Sequence, residues 1–165
     1  TFGYAITDTA PYRSNAFTTI VGAEIHSGAM ANGELWHLLA VGLPPEFDPS
    51  NSPGLRPVPD QESGADLAAR ARVAGAFVAI AHPAWSGLTE ADSAAIEAAH
   101  AVEIYNHACA VALDRGSGLS HLDRLLERGR RLPLIATDDA HFHGPDRLGG
   151  WVMVKAEENQ PEALL

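Results

Sequence analysis

The chain has 165 residues, 46% of them hydrophobic and 19% charged, and it carries a formal net charge of −10. A chain of this length predicts one globular domain. Because no apolar run reaches the roughly 20 residues that a transmembrane helix needs, and because an acidic surface repels nucleic acid and anionic lipid, we expect no membrane partner and no nucleic acid beyond short nucleotides.

Two residue types narrow the chemistry further. Cys109 is the single cysteine, so an internal disulfide is excluded, and the opening residues lack the pattern of a signal peptide. Both features predict a cytoplasmic protein. The eight histidines favour metal sites built from nitrogen and oxygen ligands over thiolate sites.

Short apolar runs recur along the chain and predict strands. Most of them are apolar throughout, which is typical of parallel strands that are covered on both faces. The predicted strands cover residues 4–7, 19–23, 37–41, 77–81, 102–105, 132–136 and 151–154.

Helical patterns stand between these runs, at residues 60–74, 89–99 and 120–128. The second opens with Thr89 and Asp92 in a capping-box arrangement, and the third is closed by Gly129. Residues 44–59 hold six of the eleven prolines and predict a surface loop. The alternation predicts an α/β fold, with residues 1–165 as a single domain.

Polar side chains fall at or just past the predicted strand ends. In parallel α/β folds and barrels, active sites are built at the edge where the strands end. The residues that share this placement are Asp8, Glu24, His82, Asn106, His107, Asp139 and His141. Their common position predicts one site.

The run ATDDAHFH carries the densest set of candidate ligands. Asp139 and His141 are two positions apart, so in extended chain they project to the same side and are predicted to bind metal ions in one cleft. A polar turn with an aspartate cap is the alternative interpretation. No GxGxxG, Walker A or GxSxG motif is present, so a metal-activated water is the expected nucleophile.

Three further residues are candidate metal ligands. Glu24 in GAEIH offers a carboxylate that can bridge two divalent ions. His37 opens one apolar run and His82 closes another. A surface glutamate and hydrogen-bonded core histidines are the alternative interpretations. Asn106 and His107 stand where a substrate would lie, while Glu103 is either a buried structural carboxylate or a member of the site.

The ordered set ITD, GAEIH, WHLLAVGL, AHPAW, VEIYN and DDAH resembles the PHP (polymerase and histidinol phosphatase) superfamily over nearly the whole chain. The resemblance implies a distorted (β/α)7 barrel that holds two or three divalent ions, Mn, Zn or Fe. It implies Glu24 as the bridging carboxylate and His37 and His82 as ligands of the third ion. It implies Asp139 as a ligand of the first ion and His141 as a ligand of the second.

Two family features are missing from the sequence. The family's first strand carries HxH, and its next strand ends in TDH, whereas this chain begins at that next strand and has Thr9 after Asp8. Asp8 is the remaining metal ligand of that motif. We expect this sequence to be part of a longer protein and to lack that protein's first strand and C-terminal end, with residues lost between Asp8 and Ala16. A genuine threonine at position 9 is the alternative.

The resemblance implies a metal-dependent hydrolase that cleaves phosphate esters, small phosphomonoesters or nucleotide phosphates, with a metal-bound hydroxide. Asp139 and His141 are the expected catalytic residues, and Asn106 and His107 the expected substrate contacts. The expected partner is a small-molecule phosphate, and the oligomeric state stays open. The alternatives are a non-catalytic PHP-like binding or scaffolding module with a depleted metal site, and hydrolysis of a C–N bond by a similar barrel.

Overall fold

The computed structural model describes residues 8–48 and 56–165. The strand predicted at residues 4–7 and part of the proline-rich loop lie outside these ranges. The strands within them are β1 Gly22–Ser27, β2 Trp36–Val41, β3 Phe77–Ile80, β4 Ala101–Asn106 and β5 Leu134–Thr137. The helices are α1 Gly64–Val73, α2 Pro83–Ser86, α3 Glu90–Ala95, α4 His107–Leu113, α5 Leu119–Glu127 and α6 Pro161–Leu164, with a 3₁₀ turn at Ala10–Tyr12.

The five strands form one open sheet in the order β1-β2-β3-β4-β5. β2 is antiparallel to both β1 and β3, whereas β3, β4 and β5 run parallel. The predicted (β/α)7 barrel is therefore wrong for the described residues, since the sheet does not close and two of its pairings are antiparallel. Residues 28–35 alone join β1 to β2, and such a short link permits a hairpin but no parallel crossover.

The hydrophobic core covers one face of the sheet. Ile25, Leu38, Val78, Ile80 and Val102 are fully buried there. They pack against apolar residues of α1, α3 and α5 and their flanks, namely Leu67, Ala68, Ala71, Ile96, Leu122 and Leu125. Each large side chain buried in this layer contributes about 1.5–3 kcal/mol to stability, so the core fixes which face of each strand points inward.

The opposite face of the sheet carries polar side chains. Alternate residues of a strand point to opposite faces, so Glu24 and His26 project away from the core that holds Ile25. On β2, His37 lies opposite His26 in the register and shares that polar face. Glu103 alternates with Val102 on β4 in the same way. The strand pattern thus brings together on one surface residues that are distant in sequence.

The helix ends follow the local sequence. α1 begins at Gly64 because Ser63 and Asp66 form a reciprocal capping box there, four residues later than predicted. The capping box predicted at Thr89 and Asp92 is confirmed at the start of α3. α5 ends before Gly129, whose φ of +78° suits a residue without a side chain.

Two strand predictions need correction. Residues 151–154 form no strand, and the side chains of Trp151 and Met153 are 68% and 86% exposed. This run has strand-forming residues, but among the described residues no neighbouring strand pairs with it, and pairing decides whether such a run becomes a strand. β1 starts at Gly22 instead of residue 19, so Glu24 lies within the strand, not at its end.

No helix in the described ranges combines the length and the apolarity needed to cross a membrane.

Candidate metal centre

One carboxylate oxygen gathers three imidazoles on the polar face of the sheet. Glu24 Oε1 lies 2.6 Å from His37 Nδ1, 3.0 Å from His82 Nε2 and 3.3 Å from His26 Nε2. The rings pack edge to face, with 4.3 Å between the centroids of His26 and His37 and 5.0 Å between those of His37 and His82. Such a concentration of imidazoles on one oxygen is typical of a ligand set.

Strand direction explains how these residues meet. His37 is near the start of β2, and His82 lies two residues beyond the end of β3. Because β2 runs antiparallel to β3, the start of one lies beside the end of the other. Glu24 pairs with Leu39, which makes His37 its diagonal neighbour on the same face, within reach of a long side chain.

The local charges favour an ionised Glu24. Burial alone would raise the pKa of its carboxyl, but the hydrogen bonds with His26, His37 and His82 hold that pKa far below its ordinary value. Burial lowers the pKa of His37 despite its bond to Glu24, so this ring is neutral near pH 7. Burial lowers the pKa of His82, but the hydrogen bond to Glu24 and the charges of Glu24, Glu103 and Asp139 together raise it above its ordinary value.

Glu24, His37 and His82 fit a divalent cation. One ligand atom from each lies within 4.8 Å of the others, and two nitrogens with one carboxylate oxygen suit zinc, iron or manganese. Ligand atoms about 2.0–2.2 Å from a tetrahedral ion are roughly 3.4 Å apart, so small shifts of the side chains are enough to admit one. Among the described residues no lysine or arginine forms an ion pair with Glu24, whose ion-pair partners are the imidazoles of the cluster itself.

Asp139 lies next to this cluster. Its carboxyl accepts a hydrogen bond of 3.1 Å from Asn106 Nδ2, and its backbone has an unusual φ of +51°. Burial raises the pKa of Asp139, and the nearby Glu24 carboxylate raises it further. Two carboxylates that repel each other in a partly buried place are stabilised by a cation between them.

Glu103 is a buried carboxylate that holds residues of the cluster in place through hydrogen bonds. It is 1% exposed, and its Oε2 accepts the backbone N–H of His82 at 2.5 Å and the Asn106 amide at 3.2 Å. Its Oε1 accepts the hydroxyl of Thr137. Glu103 therefore ties together the ends of β3, β4 and β5, and it holds His82 at a φ of +20° from which the ring reaches Glu24.

Trp85 and Ser86, which were not predicted as site residues, complete the surroundings of His82. Ser86 Oγ lies 3.0 Å from His82 Nδ1, which leaves Nε2 facing Glu24. The indole of Trp85 packs against His37 and His82, with centroids 5.3 Å and 5.0 Å away. The available signal was the AHPAW motif, because Pro83 starts a helix and a helix places positions three and four beyond His82 near its ring.

The predicted substrate contacts, Asn106 and His107, have other partners in the structure. Asn106 is 1% exposed, and besides its two amide bonds its Oδ1 accepts the N–H of Cys109 at the start of α4. The ring of His107 bonds the Tyr105 hydroxyl and the Pro145 carbonyl. Both residues thus organise the backbone around the cluster.

His141 and Asp8, two further predicted ligands, do not belong to the group formed by Glu24, His37 and His82. The side chain of His141 is 56% exposed, its Nδ1 is 3.8 Å from Asp139 Oδ1, and it lies 2.7 Å from the Asp139 carbonyl oxygen. Asp8 accepts the N–H of Ala10 at the 3₁₀ turn.

Asp138, the neighbour of Asp139, anchors the loop that follows β5. Its carboxylate accepts the backbone N–H groups of Leu148, Gly149 and Gly150 at 2.6–2.8 Å, and these bonds lower its pKa. A β-carbon at Gly150 would stand 1.9 Å from the Thr137 carbonyl oxygen, so only glycine lets the loop pass this close. The two adjacent aspartates thus have different roles. Asp138 fixes the backbone of the loop, and Asp139 faces the cluster.

Comparison of the chain with protein-family models, with curated proteins and with solved structures found no match.

Proposed function

We propose that this protein is a metal-dependent phosphoesterase whose divalent cation is held by Glu24, His37 and His82. The observation that carries the proposal is the convergence of these three side chains, with their ligand atoms within 4.8 Å of one another. The resemblance of the sequence motifs to the PHP superfamily supports the reaction class. The support comes from the shared sequence motifs and not from the barrel, since the described sheet is open.

The chemistry of the chain favours a cation as the means of binding substrate. A protein with a net charge of −10 repels a phosphate dianion unless bound cations offset that charge. A divalent ion supplies a Lewis acid for phosphoryl oxygens and lowers the pKa of a bound water. Two or three ions, Mn, Zn or Fe, are proposed, with Asp139 beside Glu24 as the next ligand.

The residues around the ions have separate tasks in this proposal. Glu24, His37 and His82 bind the cation, and Ser86 and Glu103 fix the orientation of His82. Asp139 and His141 are proposed to complete the catalytic group. Since His141 is more than half exposed, its imidazole is free to reach a substrate from the solvent side. The proposed partner is a small phosphate ester, and the proposed location is the cytoplasm.

A binding module without catalysis is the second candidate. The observation that favours it is the position of His141 and Asp8, which lie outside the group of three ligands. A protein of this kind would bind one cation through Glu24, His37 and His82 and hydrolyse nothing.

Metal titration and a phosphatase assay distinguish the two. Chelator-treated protein is titrated calorimetrically with Mn²⁺ and with Zn²⁺, and turnover of p-nitrophenyl phosphate is measured with each metal. We expect binding that Glu24→Gln and His82→Ala each weaken at least tenfold, and turnover that both variants abolish. His143→Ala is the matched control, because it removes an exposed imidazole elsewhere and should change neither.

Each outcome has a clear consequence. Metal binding without turnover of any phosphate ester would favour the binding module. Metal affinity that is equal in wild type, Glu24→Gln and His82→Ala would refute the ligand assignment and with it both candidates.

A further inference from the structure

A cavity of about 400 Å³ opens beside the metal cluster. This volume is within the range of small-molecule sites. Its walls come from the β1–β2 loop, from α2 and its flank, and from the end of α4 with the residues after it. The lining residues used below are Asn32, Glu34, Trp85, Ser86, Leu113 and Arg115.

Hydrogen bonds within the protein shape this cavity. Asn32 Nδ2 donates to the carbonyls of Ser86 and Gly87 at 3.0 Å and 3.3 Å. Asn32 Oδ1 accepts the N–H of Glu34 at 3.0 Å. These bonds tie the β1–β2 loop to α2 and its flank, so the cavity has its form without a ligand, which lowers the entropic cost of binding.

Two lining residues also touch the metal cluster. The Trp85 indole contacts the rings of His37 and His82. The Ser86 hydroxyl bonds His82. Trp85 and Ser86 thus border both the metal cluster and the cavity.

The walls offer apolar surface and hydrogen-bonding groups of both kinds. Trp85 and Leu113 supply the apolar surface. Glu34 supplies a carboxylate that accepts hydrogen bonds, and Arg115, which donates one N–H to the Ala84 carbonyl at 2.6 Å, has further guanidinium donors. Among the described residues no ion pair within 4 Å joins Glu34 to Arg115. Opposite charges on the walls disfavour a ligand of either sign and suit a neutral ring with donors and acceptors.

We infer that this cavity binds the heteroaromatic ring of the leaving group, so that the substrate is a nucleoside monophosphate and not a sugar or glycerol phosphate. The inference rests on the proposed function. A nucleobase has the required chemistry, because its flat face stacks on an indole and its edge carries both amino donors and ring acceptors. For adenine, the amino group would donate to Glu34 and a ring nitrogen would accept from Arg115.

Substrates that differ only in the base test the inference. We would measure kcat/KM for adenosine 5′-monophosphate and for ribose 5-phosphate with Mn²⁺ present. The wild type should prefer the nucleotide at least tenfold. Arg115→Gln should lower kcat/KM for the nucleotide about 3–10-fold, the value of one hydrogen bond, and leave ribose 5-phosphate unchanged.

Two further variants sharpen the result. Leu113→Trp should fill the cavity and remove the preference for the nucleotide, and because Leu113 is 58% exposed the larger side chain should be tolerated. Arg131→Gln is the matched control, since it removes an exposed arginine that does not line the cavity. Equal rates for the two substrates in wild type, or equal losses for both in Arg115→Gln and Leu113→Trp, would overturn the inference.

Failure of the proposed function is separable from failure of this inference. If no phosphate ester is hydrolysed, equilibrium dialysis with adenosine tests the cavity without the phosphate. Adenosine binding that Leu113→Trp abolishes and Arg131→Gln preserves would support the cavity as a base site. Absence of adenosine binding to the wild type, together with absence of hydrolysis, would overturn it.

Discussion

Replacing Glu103 tests whether a buried carboxylate positions the metal cluster. Glu103→Ala removes the acceptor of the His82 N–H, of the Asn106 amide and of the Thr137 hydroxyl. Glu103→Gln keeps the shape of the side chain. Its amide oxygen can accept from His82 and Asn106, while its NH2 group can donate to Thr137, whose hydroxyl turns to accept.

The magnitude follows from these bonds. An unsatisfied buried donor costs about 1–3 kcal/mol, and the His82 N–H is the donor without an alternative, since Asn106 keeps its bonds to Asp139 and Cys109. With the small cavity that the truncation leaves, we expect Glu103→Ala to lower the free energy of unfolding by about 2–4 kcal/mol. That is roughly 4–16 °C in Tm for a chain of this size. Glu103→Gln should cost less than about 1 kcal/mol.

Stability alone does not reveal positioning, so metal affinity is the deciding measurement. If Glu103 acts by holding His82 toward Glu24, Glu103→Ala should weaken Mn²⁺ or Zn²⁺ binding at least tenfold, and Glu103→Gln should bind within about threefold of wild type. Hydrogen exchange at the His82 amide should be slow in wild type and Glu103→Gln and fast in Glu103→Ala. A Glu103→Gln variant as impaired in metal binding as Glu103→Ala would refute the reasoning, because the charge and not the hydrogen bonds would then matter.

Three other predictions concern the metal, the thiol and the core. Removing bound metal with a chelator should lower Tm by roughly 5–11 °C from saturation at 100 times Kd, and His82→Ala should show no such shift; calorimetry checks both. Burial, with the charges of Asp139, Glu103 and Glu24, raises the pKa of the Cys109 thiol to about 12. This lowers the thiolate fraction at pH 8 roughly a thousandfold. The native protein should therefore resist a thiol reagent that labels the denatured protein at once. Ile25→Ala should cost about 2–5 kcal/mol in urea unfolding, whereas Met153→Ser, at an 86% exposed position, should stay within about 0.5 kcal/mol; equal effects would contradict the assignment of the core face.

Much of the local structure could be predicted from the sequence. The capping residues Thr89 and Asp92 act within one helical turn, so the start of α3 could be predicted from the sequence alone. The apolar run at residues 37–41 forms most of β2, and its hydrophobic composition was enough to predict a buried strand. The composition of an apolar run does not show whether the strand is parallel or antiparallel to its neighbours, so the direction of β2 could not be predicted from it. The resemblance to the PHP superfamily implied the (β/α)7 barrel, but the short link at residues 28–35 was the better guide to the direction of β2.

Part of the candidate site could be predicted, but the residues meet for a different structural reason from the one predicted. Glu24, His37 and His82 were grouped as residues at strand ends, but Glu24 lies within β1 and His37 near the start of β2. In an all-parallel sheet His37 and His82 would stand at opposite edges. The antiparallel pairing of β2 with β3 brings them together. Glu103 could not be assigned in advance, because its principal donor is the backbone N–H of His82, which no side-chain pattern reveals.

The balance of charge on the polar face gives an independent reason to expect a cation. Glu24, Glu103 and Asp139 supply three carboxyl groups to one partly buried region, and among the described residues no lysine or arginine forms an ion pair with any of them. The raised pKa of His82 favours its protonated form, whose proton a bound metal would replace, and the lowered pKa of His37 favours its neutral form. Buried carboxylates without compensation are costly. A divalent ion at Glu24, His37 and His82 would supply the missing charge where the imidazoles already converge, and it would do so for a phosphate substrate as well as for the protein.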